Sequence, residues 1–201
     1  MTIDNKLYIT SSSELADIDE KLTKKKAREL YDEKLLDLNI AGTFESLSFI
    51  HKYLFEDLYS FAGEIRDVNL AKGNFRFVPV MYLAKSIEHI DSMPQRNFDE
   101  IIEKYVEMNA AHPFREGNGR SMRIWLDLIL KKELKQVVNW DIVDKEDYLL
   151  AMERSPIKDV EIKILTKKAL TDKINDAVTY MKGIDNSYYY EGYNTYRTED
   201  L

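Results

Sequence analysis

Cysteine is absent from this sequence of 201 residues, and histidine (3), proline (4) and glycine (7) are scarce. Without thiols, neither disulfides nor thiolate zinc sites can form, and the composition suits a reducing cytoplasm. No apolar run is long enough to span a bilayer. The opening stretch MTIDNKLYIT also lacks the basic-then-apolar order of a secretory leader, so a cytoplasmic protein off the membrane is expected. Positive charge is not in excess either. The formal net charge is -7 with both signs interspersed, which disfavours a non-specific grip on nucleic acid while leaving room for a local basic pocket. Neither an H-E-x-x-H zinc motif nor a G-x-x-x-x-G-K-[ST] phosphate loop occurs. What remains is an ordinary globular balance, 44% hydrophobic and 32% charged, at a length that buries a good core in one domain.

Hydrophobic spacing predicts a mainly helical, all-α fold. Apolar positions from Leu15 to Leu38 follow one helix starting near Ser12. Thr43 is placed to cap a second helix, with Leu47, Ile50, Leu54 and Leu58 on one stripe and Gly63 as its stop. Asn97 with Glu100 makes a capping-box-like start to a third, whose buried face carries Ile101, Tyr105 and Met108. The stretch SMRIWLDLILKKEL is apolar on nearly all sides and reads as a central helix wrapped by others. Further helices are expected over Asp144–Arg154, Asp159–Thr171 and Asp172–Lys182, the last ended by Gly183. In RDVNLAKGNFRFVP, Val68 and Leu70, then Phe75 and Phe77, alternate across Lys72-Gly73-Asn74, which predicts a small β-hairpin.

Chemistry concentrates in HPFREGNGRSMR, His112 to Arg123. Pro113 restricts His112 to an extended backbone and discourages the preceding helix from continuing, and Phe114 is placed to pin the loop to the core. Gly117 and Gly119 flank Asn118 and permit positive φ and close approach of a ligand. Main-chain amides then converge at a helix start, an anion-binding arrangement. Arg120 and Arg123 share one face of the first turn. Cations there oppose the macrodipole at a cost of up to about 1 kcal/mol, so an anion is expected beside them. Glu116 offers a hard carboxylate for Mg²⁺, which takes one or two carboxylates together with phosphate oxygens. His112 supplies a base near neutral pH. Together these residues suit a magnesium nucleotide and a proton to be removed. His51 and His89 have no such company and are read as structural or surface residues.

These residues match in full the signature H-x-F-x-[D/E]-G-N-G-R-x-x-R of the Fic (filamentation induced by cAMP) family, which the sequence closely resembles. HKYLFEDLYSFAGEIR and AKGNFRFVP are similar to that family's upstream helix and flap. The resemblance implies a single Fic domain over residues 1–201, with a core of about 43–155, helices over 157–182 and an inhibitory helix over about 186–196. It implies protein adenylyltransfer: AMP passes from ATP to a Tyr, Thr or Ser hydroxyl of a target protein. In that scheme His112 is the base and Glu116 holds Mg²⁺. Gly117, Asn118 and Gly119 cradle the α- and β-phosphates, with Asn118 adding its side chain. Arg120 serves the β-phosphate region and Arg123 the γ-phosphate, and flap residues Lys72, Gly73, Asn74 and Phe75 align the target segment. Gly119 stands where phosphate-transferring relatives of the Doc branch carry lysine. Phosphocholine transfer, and a peptide-binding module without catalysis, stay open as lower-ranked alternatives.

The tail segment SYYYEG, Ser187 to Gly192, also matches the family's inhibitory pattern [S/T]-x-x-x-E-[G/N]. The resemblance implies that Glu191 pairs with Arg123 and blocks productive ATP binding, with Gly192 completing the pattern; Ser187 is placed to cap the short helix and the tyrosines to pack it on the core. It further implies candidate self-modification at Tyr188, Tyr189 and Tyr190 once the helix detaches. In some members the same glutamate orients water for AMP removal, the leading alternative activity. Self-association is left open.

Overall fold

The computed structural model describes residues 2–73 and 75–201. Asn74, expected at the tip of the flap, lies outside the described residues. Among these, eight α-helices account for most of the ordered backbone. Helix α1 (Ser12–Asp32) is capped by Ser11 Oγ, which accepts from the Glu14 amide. The single helix expected from Ser12 to Leu38 is broken. Lys34 takes a left-handed backbone (φ 55°), and Leu35–Leu38 form a 3-10 turn instead. Helix α2 (Phe44–Phe55) begins on Thr43, whose hydroxyl oxygen accepts from Ser46 N as expected. It stops well before Gly63. Residues from Glu56 onward continue as hydrogen-bonded turns that still bury Leu58 and Tyr59.

Helices α3 (Val80–Ser92) and α4 (Phe98–Ala111) follow the flap. Asn97 caps α4 by accepting from Glu100 N, while the Glu100 carboxylate accepts from the amide of Arg96 rather than of Asn97, a one-residue variant of the capping box. Helix α5 (Asn118–Leu134) is the central helix that its composition predicts, packed against α2 and α4, with Met122, Ile124, Trp125, Leu126, Ile129 and Leu130 buried. Trp125 Nε1 donates to Thr43 O and lies 3.1 Å from Ser46 Oγ, tying the centre of α5 to the start of α2.

The flap is shorter than the alternation of Val68 to Phe77 suggests. Strands β1 (Ala71–Lys72) and β2 (Phe75–Arg76) pair antiparallel, Ala71 opposite Arg76 and Lys72 opposite Phe75. Phe77 N donates to Leu70 O beyond them. A second antiparallel pair, β3 (Val137–Val138) with β4 (Leu170–Thr171), is absent from the expectations drawn from sequence. It ends α7 (Val160–Lys168) earlier than Thr171, after α6 (Lys145–Arg154), which Asp144 caps.

The last helix is the largest correction. α8 (Ala177–Tyr190), capped by Asp176, runs straight through Gly183. That glycine is a contact and not a stop: a Cβ there would lie 3.2 Å from Trp140 Cδ1, so the absent side chain lets the indole of Trp140 lie against the helix. The inhibitory motif is therefore the end of a longer helix rather than a separate short one, and Ser187 is buried inside that helix rather than at its start. One buried apolar cluster joins residues of α1 through α8, from Ala27 to Tyr190. Among the described residues no helix is long and apolar enough to cross a membrane.

Candidate active site

Two helix ends meet at the loop. α4 finishes at His112, which takes a left-handed backbone (φ 49°) rather than the extended one expected before Pro113, because its amide still donates to Met108 O and closes the helix. α5 begins after Gly117 (φ 73°). A Cβ at Gly117 would collide with the ring of Phe55, so sterics and backbone both require glycine there. Gly119 differs from expectation: it sits inside the first turn of α5 without a positive φ. Its bareness leaves room for Glu191 Oε1, which a Cβ would force to shift.

Phe114 is fully buried and anchors the loop as expected, stacked on His51 with centroids 3.8 Å apart. Asn118 does not offer its side chain outward. Its Oδ1 accepts from Phe114 N and its Nδ2 donates to Phe114 O, at 2.9 and 2.8 Å. The amide thus shapes the loop, buried against the main chain of Phe114. His51 is the structural residue expected. Its Nδ1 accepts from Gly63 N, so Nε2 carries the proton and donates to Glu116 O at 2.8 Å. Burial holds it neutral, with its pKa lowered to about 3.

His112 keeps part of its surface open, with its ring stacked on Phe77 of the flap at 3.7 Å and 16°. Among the described residues its Nδ1 has no hydrogen-bond partner. Removal from water lowers its pKa to about 4, the positive charges of Arg66 and Lys72 push the same way, and only the Asn109 backbone carbonyl opposes them. The imidazole is therefore a neutral proton acceptor throughout the physiological range.

Arg120 is wholly buried and its fork is already engaged. Nη1 lies 2.6 Å from Asp19 Oδ1 on α1, Nη2 lies 3.5 Å from Glu116 Oε1, and Nε lies 3.1 Å from Glu191 Oε2 without hydrogen-bonding geometry. The rings of Phe55, Tyr188 and Tyr193 surround the guanidinium at 4.7 to 5.2 Å. Burial works against this charge, but Asp19 and Glu191 outweigh it and raise the pKa further. Arg123 donates from Nε to Ser187 Oγ (2.6 Å) and from Nη2 to both Ser187 O (2.8 Å) and Glu191 Oε1 (2.6 Å). The anion expected at the start of α5 is thus the protein's own carboxylate, shared between the two arginines.

The tail motif places that carboxylate through helix-end geometry. Gly192 (φ 96°) donates to Tyr189 O and Tyr193 N donates to Tyr188 O, the paired bonds of a Schellman cap, with Tyr193 set edge-on against Tyr188. Glu191 is then the C-cap residue. Tyr188 and Tyr190 dock the end of the helix: Tyr188 OH donates to Thr23 Oγ1 at 2.7 Å and Tyr190 OH to Val143 O at 2.7 Å. Of the three candidate self-modification sites only Tyr189 is exposed, its ring beneath Lys145 Nζ. Beyond the cap the chain folds back on α1. The amides of Thr195 and Tyr196 donate to the buried Glu20 carboxylate, and Lys24 Nζ donates to Tyr196 O while pairing with Glu20 and Asp185.

Asp19 has no sequence signal, because α1 lies 101 positions before Arg120 and reads as ordinary charged helix. It accepts from Tyr59 OH as well as from Arg120. Truncating it leaves a buried guanidinium short of counter-charge, so Asp19→Ala is expected to cost about 3–5 kcal/mol of stability, read by urea denaturation. A loss below about 1 kcal/mol would mean that Glu191 and Glu116 suffice for Arg120.

Among the described residues no group of three or more His, Cys, Asp or Glu side chains converges as a metal site. Glu116 by itself fits the Mg²⁺ expectation. Its carboxylate is 44% exposed and accepts from Gly117 N at 2.9 Å, beside the turn expected to meet phosphates.

A buried-helix core, a glycine turn between two helix ends and a hairpin over the histidine define the class of fold. The profile described as "Fic/DOC family" matches residues 42–130, and this part of the chain belongs to that family. Among curated relatives, it is 31% identical over 165 residues to protein adenylyltransferase VbhT of Bartonella schoenbuchensis, covering 73% of this chain and 34% of that protein. It is 27% identical to "Probable protein adenylyltransferase y4lH" of Sinorhizobium fredii, covering 63% of this chain and 69% of that one. The chain thus spans about a third of the first of these relatives and about two thirds of the second. Among solved structures, the N-terminal Fic domain of Bep8 from Bartonella sp. 1-1C superposes with TM-score 0.72 at 19% identity, over 88% of this chain and 94% of that one. BepC from Bartonella tribocorum, solved with bound AMPPNP, gives TM-score 0.69 at 17% identity over 85% and 93%.

Proposed function

We propose that this chain is a protein adenylyltransferase held in check by its own last helix. The observation that carries the reading is the Glu191 carboxylate, which lies 2.6 Å from Arg123 and 3.1 Å from Arg120 at the first turn of α5, where a nucleotide's phosphates would bind. The adenylyltransferase names of the curated relatives point to the same chemistry.

In the active form the target hydroxyl oxygen attacks the α-phosphorus of ATP. Its proton passes to His112, the new oxygen–phosphorus bond forms, and pyrophosphate leaves. The Gly117–Gly119 turn and the N-terminus of α5 supply main-chain dipoles toward the phosphates, and Arg123 binds the terminal one. Glu116 would hold a Mg²⁺ ion beside the phosphates, which would supply charge neutralisation there. Phosphoryl and nucleotidyl transfer depend chiefly on such positioning and electrostatics. With Glu191 on Arg123 the terminal phosphate loses its partner and the α-phosphorus is misaligned. Lys72, Gly73 and Phe75 of the flap hold the acceptor segment by main-chain pairing. A cysteine-free protein of this kind suits a reducing cytoplasm.

The direct test incubates the protein with Mg²⁺ and ATP carrying label at either the α- or the γ-phosphate, in the presence of candidate acceptor proteins. Label transferred from the α position alone is the expected result. Transfer from the γ position would make the chain a phosphotransferase, and no transfer from either, with the tail's glutamate also removed, would leave only a binding module. AMP removal is read by loss of label from an isolated modified protein on adding unlabelled enzyme.

A further inference from the structure

α4 ends beside the base, and a helix end leaves its last carbonyls without intrahelical donors. Here those carbonyls are met by one side chain and the segment around it. Arg66, with 2% of its surface exposed, donates from Nε to His112 O at 2.7 Å and from Nη2 to Ala111 O at 3.1 Å. The same guanidinium donates from Nη1 to Val68 O at 2.7 Å and from Nη2 to Val78 O at 2.5 Å, the two chain segments that flank the flap. The backbone completes the seam: Arg66 N donates to Pro113 O at 2.8 Å and Val78 N to Ala110 O at 3.1 Å. All four acceptors of the guanidinium are main-chain carbonyls, and no carboxylate among the described residues pairs with it. A cation placed there also complements the negative end of the α4 dipole.

We propose that Arg66 is a positioning residue that locks the flap to the left-handed backbone of His112, so that acceptor segment and base are held in one frame. A planar fork with fixed donors can join four carbonyls from three segments at once, whereas a lysine ammonium is a single point with three donors. The stack of Phe77 on His112 depends on the same registration, since Phe77 adjoins Val78, whose carbonyl and amide are both bound in the seam. The inference rests on the adenylyltransferase reading for its catalytic arm only.

The test compares Arg66→Lys with its parent, both in the full chain carrying Glu191→Gly. Amide hydrogen exchange at Phe77 and Val78 is expected to accelerate at least roughly tenfold, because the seam opens locally while the core stays closed. The rate of label incorporation from α-labelled ATP is expected to fall at least roughly tenfold, since small displacement of a reacting group has large kinetic effects. ATP affinity, measured by calorimetry, is expected to stay within about twofold, because Arg120 and Arg123 are untouched. Unchanged exchange and unchanged labelling would overturn the proposal, as would parallel loss of ATP affinity and melting temperature, which a merely structural role predicts. If Arg66→Lys fails to fold, Arg66→Gln, which removes the buried charge and keeps two donors, is measured instead. A parent that transfers no label defeats the functional reading alone; the exchange arm still decides the role of Arg66.

Discussion

His112→Ala in the Glu191→Gly chain is expected to abolish AMP transfer, lowering it by roughly 10²–10⁴, while ATP affinity stays unchanged. Among the described residues the imidazole is the one neutral base at the junction of α4, α5 and the flap. Arg120 and Arg123 are held by α5 and do not lean on the ring, so nucleotide affinity is spared. Burial and the charges of Arg66 and Lys72 set the acid limb of the rate profile. A group with its pKa lowered to about 4 becomes protonated, and therefore useless as a base, only as pH falls through that value. Transfer is then expected to persist from neutral pH down to about 5 and to fail near 4 in the free enzyme, where an ordinary histidine would fail near 6.5. A limb at 6.5 in kcat/KM would mean that His112 is solvated in the working enzyme. Full activity in the alanine variant would remove it from the chemistry altogether.

The sequence made the local signals legible and hid the distant ones. Thr43 and Asn97 cap helices because a short polar side chain next to a helix start bonds its own backbone three residues on, and no distant partner is involved. Gly117 was readable for the same reason, since a positive φ belongs to its own main chain, whereas Gly119 has none and the hydrogen-bond partners of Arg120 and Arg123 lie 64 to 101 positions away. Glu191 was readable only through the family pattern, which named Arg123 as its partner.

Where sequence reading failed, the deciding contact lay far along the chain. Gly183 resembles a helix stop until Trp140, more than forty positions earlier, is seen against it. α7 was drawn too long because Leu170 and Thr171 are claimed by Val137 and Val138 as strand partners. Arg66 sits between an exposed-looking turn and a hairpin, yet its four acceptors belong to residues up to 46 positions away. These are tertiary choices, made once helices have met, and no window of neighbouring residues contains them.

Glu191→Gly is the change expected to release the enzyme, raising the rate of AMP transfer roughly ten- to hundredfold, the worth of one or two charge-assisted hydrogen bonds. The carboxylate engages both arginines, so its removal frees Arg123 for the terminal phosphate and vacates the space in front of Gly119. The helix itself need not leave. Tyr188 and Tyr190 keep their buried hydroxyl partners, and the Glu20–Lys24–Asp185 cluster still holds the tail on α1. This separates two ways of activating the protein. If inhibition is a matter of charge at Arg123, Glu191→Gln should recover part of the gain, with hydrogen exchange along α8 unchanged. If inhibition requires the whole helix as a plug, Glu191→Gly should do little, and only opening the latch with Lys24→Met should raise transfer. The geometry favours the first outcome, because Glu191 reaches the arginines from a fixed C-cap position while its side chain remains 23% exposed. A Glu191→Gly chain no faster than wild type, on a protein that both demonstrably label, would end the case for a glutamate brake.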